Sequence, residues 1–168
     1  MAEPALVQVL SDDEIREIEE ECAHLPDRKS AAIDAMMIVQ RYRGWVSDDS
    51  LQAIGRLLGM SVENLDSIAT FYNLIYRQPV GRHVVMVCDS VSCYVMGADG
   101  LRKAVEEHLG VSLGETTEDG RFTLLPIVCL GACDRAPTMM IDEELIGDVT
   151  AEGLRKIFRG FRDKHEEN

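Results

Sequence analysis

The stretch from His83 to Cys93 reads HVVMVCDSVSC. Its first part, HVVMVC, is short, rich in valine and almost unbroken in its apolar character. That is the pattern of a strand buried on both faces. The second part places another cysteine beyond the strand, with four residues between Cys88 and Cys93. Downstream, FTLLPIVC (Phe122 to Cys129) reads as a second strand. Pro126 directs it to an edge or irregular position, because proline cannot donate to a hydrogen-bond ladder. Between the two, GADGLRKAVEEHLG predicts a helix with Leu101, Val105 and Leu109 on one side. TMMID and ELIGDV predict two short strands of a hairpin around Asp142-Glu143-Glu144, read as a solvated turn. Thr150 is placed to cap a last helix carrying Leu154, Ile157, Phe158 and Phe161. The order is β-α-β-β-β-α. Strands joined through a helix should pair in parallel. Residues 81–168 are therefore expected to form a small α/β domain.

Working back from His83, the periodicity changes near Gln78-Pro79-Val80-Gly81, and residues 1–80 read as a helical bundle. Ser11 and Glu14 form a capping-box pair ahead of Ile15, Ile18, Cys22 and Leu25. A second helix is expected from about Lys29 to Tyr42, stopped at Gly44. Ser47 caps a third helix that ends at Gly59, and Ser61 caps a fourth with Leu65, Ile68, Ala69 and Tyr72. Connections this short favour a compact helical bundle. The expected fold class is thus mixed: an N-terminal helical bundle over 1–80 and an α/β domain over 81–168.

The formal net charge of −13 repels phosphate backbones and anionic lipid, so nucleic acid is an unsuitable partner and direct membrane adsorption is disfavoured. The segment LQAIGRLLGMSVENLDSIATFY also scans as a helix-turn-helix. Its second helix offers Glu63 and Asp66 and no basic residue until Arg77, so it reads as packing and as a docking surface. No apolar run approaches the ~20 residues that span a bilayer. The stretch MAEPALVQVLSDDEI lacks a basic region followed by an apolar one, which points to a cytoplasmic location. Five cysteines, an odd number, weaken the reading of a disulfide scaffold and favour metal or redox chemistry.

Cys88 and Cys93 lie beyond the C-terminal end of the first strand, and Cys129 and Cys133, in CLGAC, beyond the same end of the second. If the strands are parallel neighbours, both pairs open on one edge of the sheet, where open α/β sheets place ligands. A structural zinc site, a redox dithiol and an iron–sulfur cluster compete for such thiols. The dithiol would need C-x-x-C, which is absent. Spacing leaves zinc and a [2Fe–2S] cluster both standing, the cluster slightly ahead. Small residues Ser90, Ser92, Gly97, Gly131 and Ala132 let backbone N–H groups approach sulfur. Asp89 and Asp134 bring negative charge near it. Cys22 reads as a core residue of the first helix, and His83 as a packed residue of its strand. Met36-Met37 and Met139-Met140 read as core filler, and His24, His108 and His165 have no readable partner.

C-x₄-C followed by CLGAC and then APTMMID resembles the thioredoxin-like [2Fe–2S] ferredoxins. The helical half, with SIATFYNLIY, is similar to the N-terminal region of the 24 kDa-type subunit of bacterial NADH–quinone oxidoreductase, respiratory complex I. The resemblance covers nearly the whole chain. It implies a thioredoxin-like fold for residues 81–168 and one [2Fe–2S] cluster held by Cys88, Cys93, Cys129 and Cys133. It also implies a partner subunit that binds FMN and NADH and exchanges single electrons with the cluster, as a side station to the main electron path. Activity then belongs to the complex, on the inner face of a bacterial membrane, and not to this chain alone. No dinucleotide fingerprint such as G-x-G-x-x-G is present to bind NADH or FMN here. Related subunits of NAD-linked hydrogenases or formate dehydrogenases, and a zinc-stapled adaptor, are the alternatives. Pro137 sits where that fold commonly holds a cis proline, so a cis Ala136–Pro137 bond is expected.

Overall fold

Serine hydroxyls start three of the helices in the first half. In the computed structural model, which describes residues 9–163, the Ser11, Ser47 and Ser61 side chains accept the backbone N–H groups of Glu14, Ser50 and Asn64. These caps satisfy donors that a helix end otherwise leaves bare, each for about 1 kcal/mol. They open α1 (Asp12–His24), α3 (Asp48–Leu58) and α4 (Val62–Phe71). The helix expected from Lys29 begins instead as a 3₁₀ turn, Arg28–Ala31, led by the Asp27 side chain. It continues as α2 (Ala32–Arg43). Gly44 and Gly59 end α2 and α3. Ile18, Met36, Val39, Leu51, Ile54 and Leu65 meet in the core of this bundle. His165 lies outside the described residues.

One carboxylate is buried with them. Glu14, the reciprocal partner of Ser11, accepts the Ser11 N–H at 2.6 Å and the Arg43 guanidinium at 2.5 Å. Burial pushes its carboxyl up, but Arg43 and Ser11 outweigh that and hold it below the usual range.

The chain divides into two compact units, Met1–Pro79 and Val80–Asn168. The second is built on β1 (His83–Cys88) and β2 (Phe122–Ile127), paired in parallel with Cys88 opposite Ile127. Between them run a one-turn helix α5 (Val91–Val95) and the longer α6 (Ala98–Leu109). β3 (Met139–Ile141) lies antiparallel to β1 on its other side and forms a hairpin with β4 (Glu144–Ile146). α7 (Leu154–Asp163) follows. The sheet order is β2-β1-β3-β4. Every residue of β1 is buried, as its central place requires. β2 is an edge strand, where Pro126 leaves no central ladder bond unmade. Val85, Val87, Leu124, Met139 and Ile141 of the sheet pack with Leu101, Val105, Leu154 and Phe158 of α6 and α7.

Further local features differ from the sequence reading. Helix α5 is too short to carry a periodic signal, and it places Cys93 on a helix rather than in a turn. Asp142 is not only a solvated turn residue. Its carboxylate accepts the Val84 N–H at 2.9 Å and meets His83 Nδ1 at 2.7 Å. His108 has a partner after all, stacking on Phe158 with ring centroids 4.9 Å apart. The Ala136–Pro137 bond is cis, as expected.

Candidate functional site

Because β1 and β2 are parallel and in register to their last residues, the chain leaves both strands at one rim of the sheet. The Asp89 N–H extends the ladder by donating to the Ile127 carbonyl at 2.8 Å. On the other side, the Cys88 N–H donates to the Thr138 carbonyl at 3.2 Å. Cys88 is therefore fixed between two neighbouring segments and is buried. α5 then turns the chain back and buries Cys93 as well, with its sulfur 3.5 Å from the Thr138 hydroxyl.

The second loop closes on the first. The Cys88 sulfur lies 4.0 Å from the Val128 carbonyl oxygen. Burial pushes the Cys88 thiol up, but the Ser90 and Leu130 N–H groups and the Cys93 and Thr138 side chains more than offset this. The thiol is held below its usual range. Cys129 and Cys133 are both exposed. The Gly131 N–H donates to the Cys129 sulfur at 3.4 Å, from a backbone at φ 74° that favours glycine. Cys133 opens a 3₁₀ turn, Cys133–Arg135. Cys88 lines a cavity of about 170 Å³ together with Asp89, Ala98, Asp99 and Arg102 among others. Val91, Tyr94 and Val95 of α5, Met96 just after it and Val128 beside Cys129 are exposed apolar side chains.

Thus the rim gathers an inner pair of buried thiols and, on the adjoining loop, an outer exposed pair. Among the described residues, no three His, Cys, Asp or Glu side chains are drawn together tightly enough for a single ion. The donor set fits a [2Fe–2S] group: four thiols, two on each loop, with amide N–H groups aimed at sulfur. The expectation that small residues would admit such amides holds for Ser90 and Gly131. Sequence alone does not single out Thr138. The available signal is its place directly after Pro137 in APTMMID.

Cys22 lies in the core of the helical unit, and burial pushes its thiol up. His83, packed near Phe122 and Phe161, sits at the start of β1, at the opposite end of that strand from Cys88.

The family of thioredoxin-like [2Fe–2S] ferredoxins matches residues 18–162. The chain belongs to this family. The E-type subunit of the NADH-quinone oxidoreductase of Pseudomonas aeruginosa is 46% identical to it over 165 residues, covering 96% of this chain and 99% of that one. The protein of the same name from Escherichia coli strain K12 is 46% identical over 91% of this chain and 92% of its own length. An NAD⁺-reducing [NiFe]-hydrogenase shares the fold, with a TM-score of 0.66 over 79% of this chain at 17% identity. This ferredoxin chain spans 22% of that hydrogenase chain. As a member of the family, it is a carrier of one [2Fe–2S] cluster.

Proposed function

We propose that this chain is the [2Fe–2S] electron-transfer subunit of an NADH:quinone oxidoreductase, with Cys88, Cys93, Cys129 and Cys133 holding the cluster. The observation that carries the reading is the end-to-end similarity to subunits of that name, 46% over 96% of the chain. It is supported by the two thiol pairs at one rim of the sheet. When bound, the cluster supplies one-electron redox chemistry.

The residues of this chain bind, orient and tune. Cys88 and Cys93, which are buried, and Cys129 and Cys133, which are exposed, would together hold the group. Amide N–H groups of Ser90, Leu130 and Gly131 stabilise negative charge on sulfur and so favour the reduced state. Asp89 and Asp134 act in the opposite sense. The exposed apolar residues of α5 and Val128 beside the thiols suit a partner that covers them, and that partner is the subunit binding FMN and NADH. The cluster would supply single-electron exchange with that flavin, as a side station to the main path. None of the described helices is long and apolar enough to cross a membrane. Placement on the inner face of the bacterial membrane comes through the complex.

The test is to purify the complex anaerobically and titrate it with NADH. A [2Fe–2S] EPR signal that disappears when Cys88 is replaced by Ser, with the complex still assembled, supports the assignment. A zinc-loaded, EPR-silent chain rejects it.

A further inference from the structure

Exposure leaves Cys133 without the packing that fixes Cys88 and Cys93, so something else must hold its turn in place. The chain after β4 does so. The Asp148 N–H donates to the Arg135 carbonyl at 2.7 Å, and the Val149 N–H to the Pro137 carbonyl at 3.1 Å. Within the turn, the Arg135 N–H donates to the Ala132 carbonyl at 3.1 Å and the Ala136 N–H to the Cys133 carbonyl at 3.4 Å, which ties Arg135 to the backbone that carries Cys133. The Arg135 side chain lies directly over Gly147, with Arg135 Nε 3.6 Å from Asp148 Oδ2. A methyl group on residue 147 would stand 2.5 Å from Arg135 Cβ and 2.7 Å from Nε. The guanidinium could swing aside, but Cβ is tied to the backbone of the turn. Gly147 is not in the left-handed region, so alanine there is opposed by contact alone and not by torsion.

We propose that Gly147 is a positioning residue for Cys133: its missing Cβ lets Arg135 close over the end of β4 and sets the turn that presents the outer thiol. The inference rests on Cys133 being a cluster ligand, as argued above.

The full chain carrying its cluster is compared with Gly147→Ala, Arg135→Gly, the double variant that exchanges the glycine across the contact, and the control Gly100→Ala, which has open space around it. In Gly147→Ala, loss of iron to a chelator should be about tenfold faster, an effect on the scale of overpacking a close contact. The EPR line shape of the reduced protein should also change. The exchange variant should return to within about threefold of Arg135→Gly, and the control should match the parent. If Gly147→Ala does not fold, the exchange variant decides by the same comparison. Wild-type retention in Gly147→Ala, or no recovery in the exchange variant, overturns the inference. Alkylation of the metal-free chain separates it from the ligand assignment. A changed rate at Cys133 with Cys129 unaltered supports positioning even if the parent holds no iron, and an unchanged rate counts against it.

Discussion

The two thiol pairs at the rim are held by different physics. Cys88 and Cys93 are locked by burial, by the ladder on both sides of β1 and by the Thr138 hydroxyl. Cys129 and Cys133 are exposed and depend on local backbone turns, one through Gly131 and the other through the 3₁₀ turn. Packing strongly fixes a side chain that has no freedom to relax, whereas a surface turn yields more readily. An anchored inner half and a compliant outer half suit a cofactor that enters from solvent and works at a surface.

Substitution of the thiols breaks the comparison most forcefully. Cys88→Ser or Cys93→Ser should abolish iron binding. Cys129→Ser or Cys133→Ser should leave a fraction of chains with a labile cluster and an altered EPR signal. Equal losses from all four would show that burial confers no extra hold.

A smaller effect comes from the helical unit, where Glu14 shows the same contest between burial and donors as Cys88. Arg43→Met should cost about 2 kcal/mol by leaving a buried carboxylate short of its charged partner, read as a lower midpoint in urea. Because the folded-state pKa of Glu14 lies below its unfolded value, its contribution is complete at neutral pH. It fades as pH falls through that depressed value. The parent should therefore lose stability on acidification more steeply than Arg43→Met, and parallel curves would contradict this.

Thr138→Val sharpens the account of the inner pair. In the metal-free chain, the pH at which Cys88 becomes reactive to alkylation should rise, because one of the groups opposing burial is gone. A fall would mean that the hydroxyl does not favour the thiolate. The smallest effect is expected from Cys22→Ala. This thiol is buried without amide donors, so iron and visible absorption should be unchanged, with a stability loss of about 1 kcal/mol. Bleaching would show that the cluster depends on it.

What was legible in the sequence is what local chemistry dictates. Serine caps, the valine-rich central strand, the edge strand marked by Pro126 and the hairpin all follow from residue type and spacing. The four cysteines stood out, and the parallel pairing brought their loops to one rim. Features that depend on distant contacts were not legible. α5 has a single turn, too little for a period, and its apolar residues face solvent. The division into buried and exposed thiols depends on how the second loop closes over Cys88. The His83–Asp142 contact and the fit of Arg135 over Gly147 join positions far apart in sequence, with no local pattern to announce them.

The central claim is that these thiols hold two irons at the sheet rim, and metal and sulfide analysis of anaerobically purified protein, with EPR after dithionite reduction, tests it most directly. The account predicts iron and acid-labile sulfide in equal amounts, two of each per chain, and a spin-one-half signal that is lost in Cys88→Ser. Stoichiometric zinc without iron, and no signal on reduction, would contradict it.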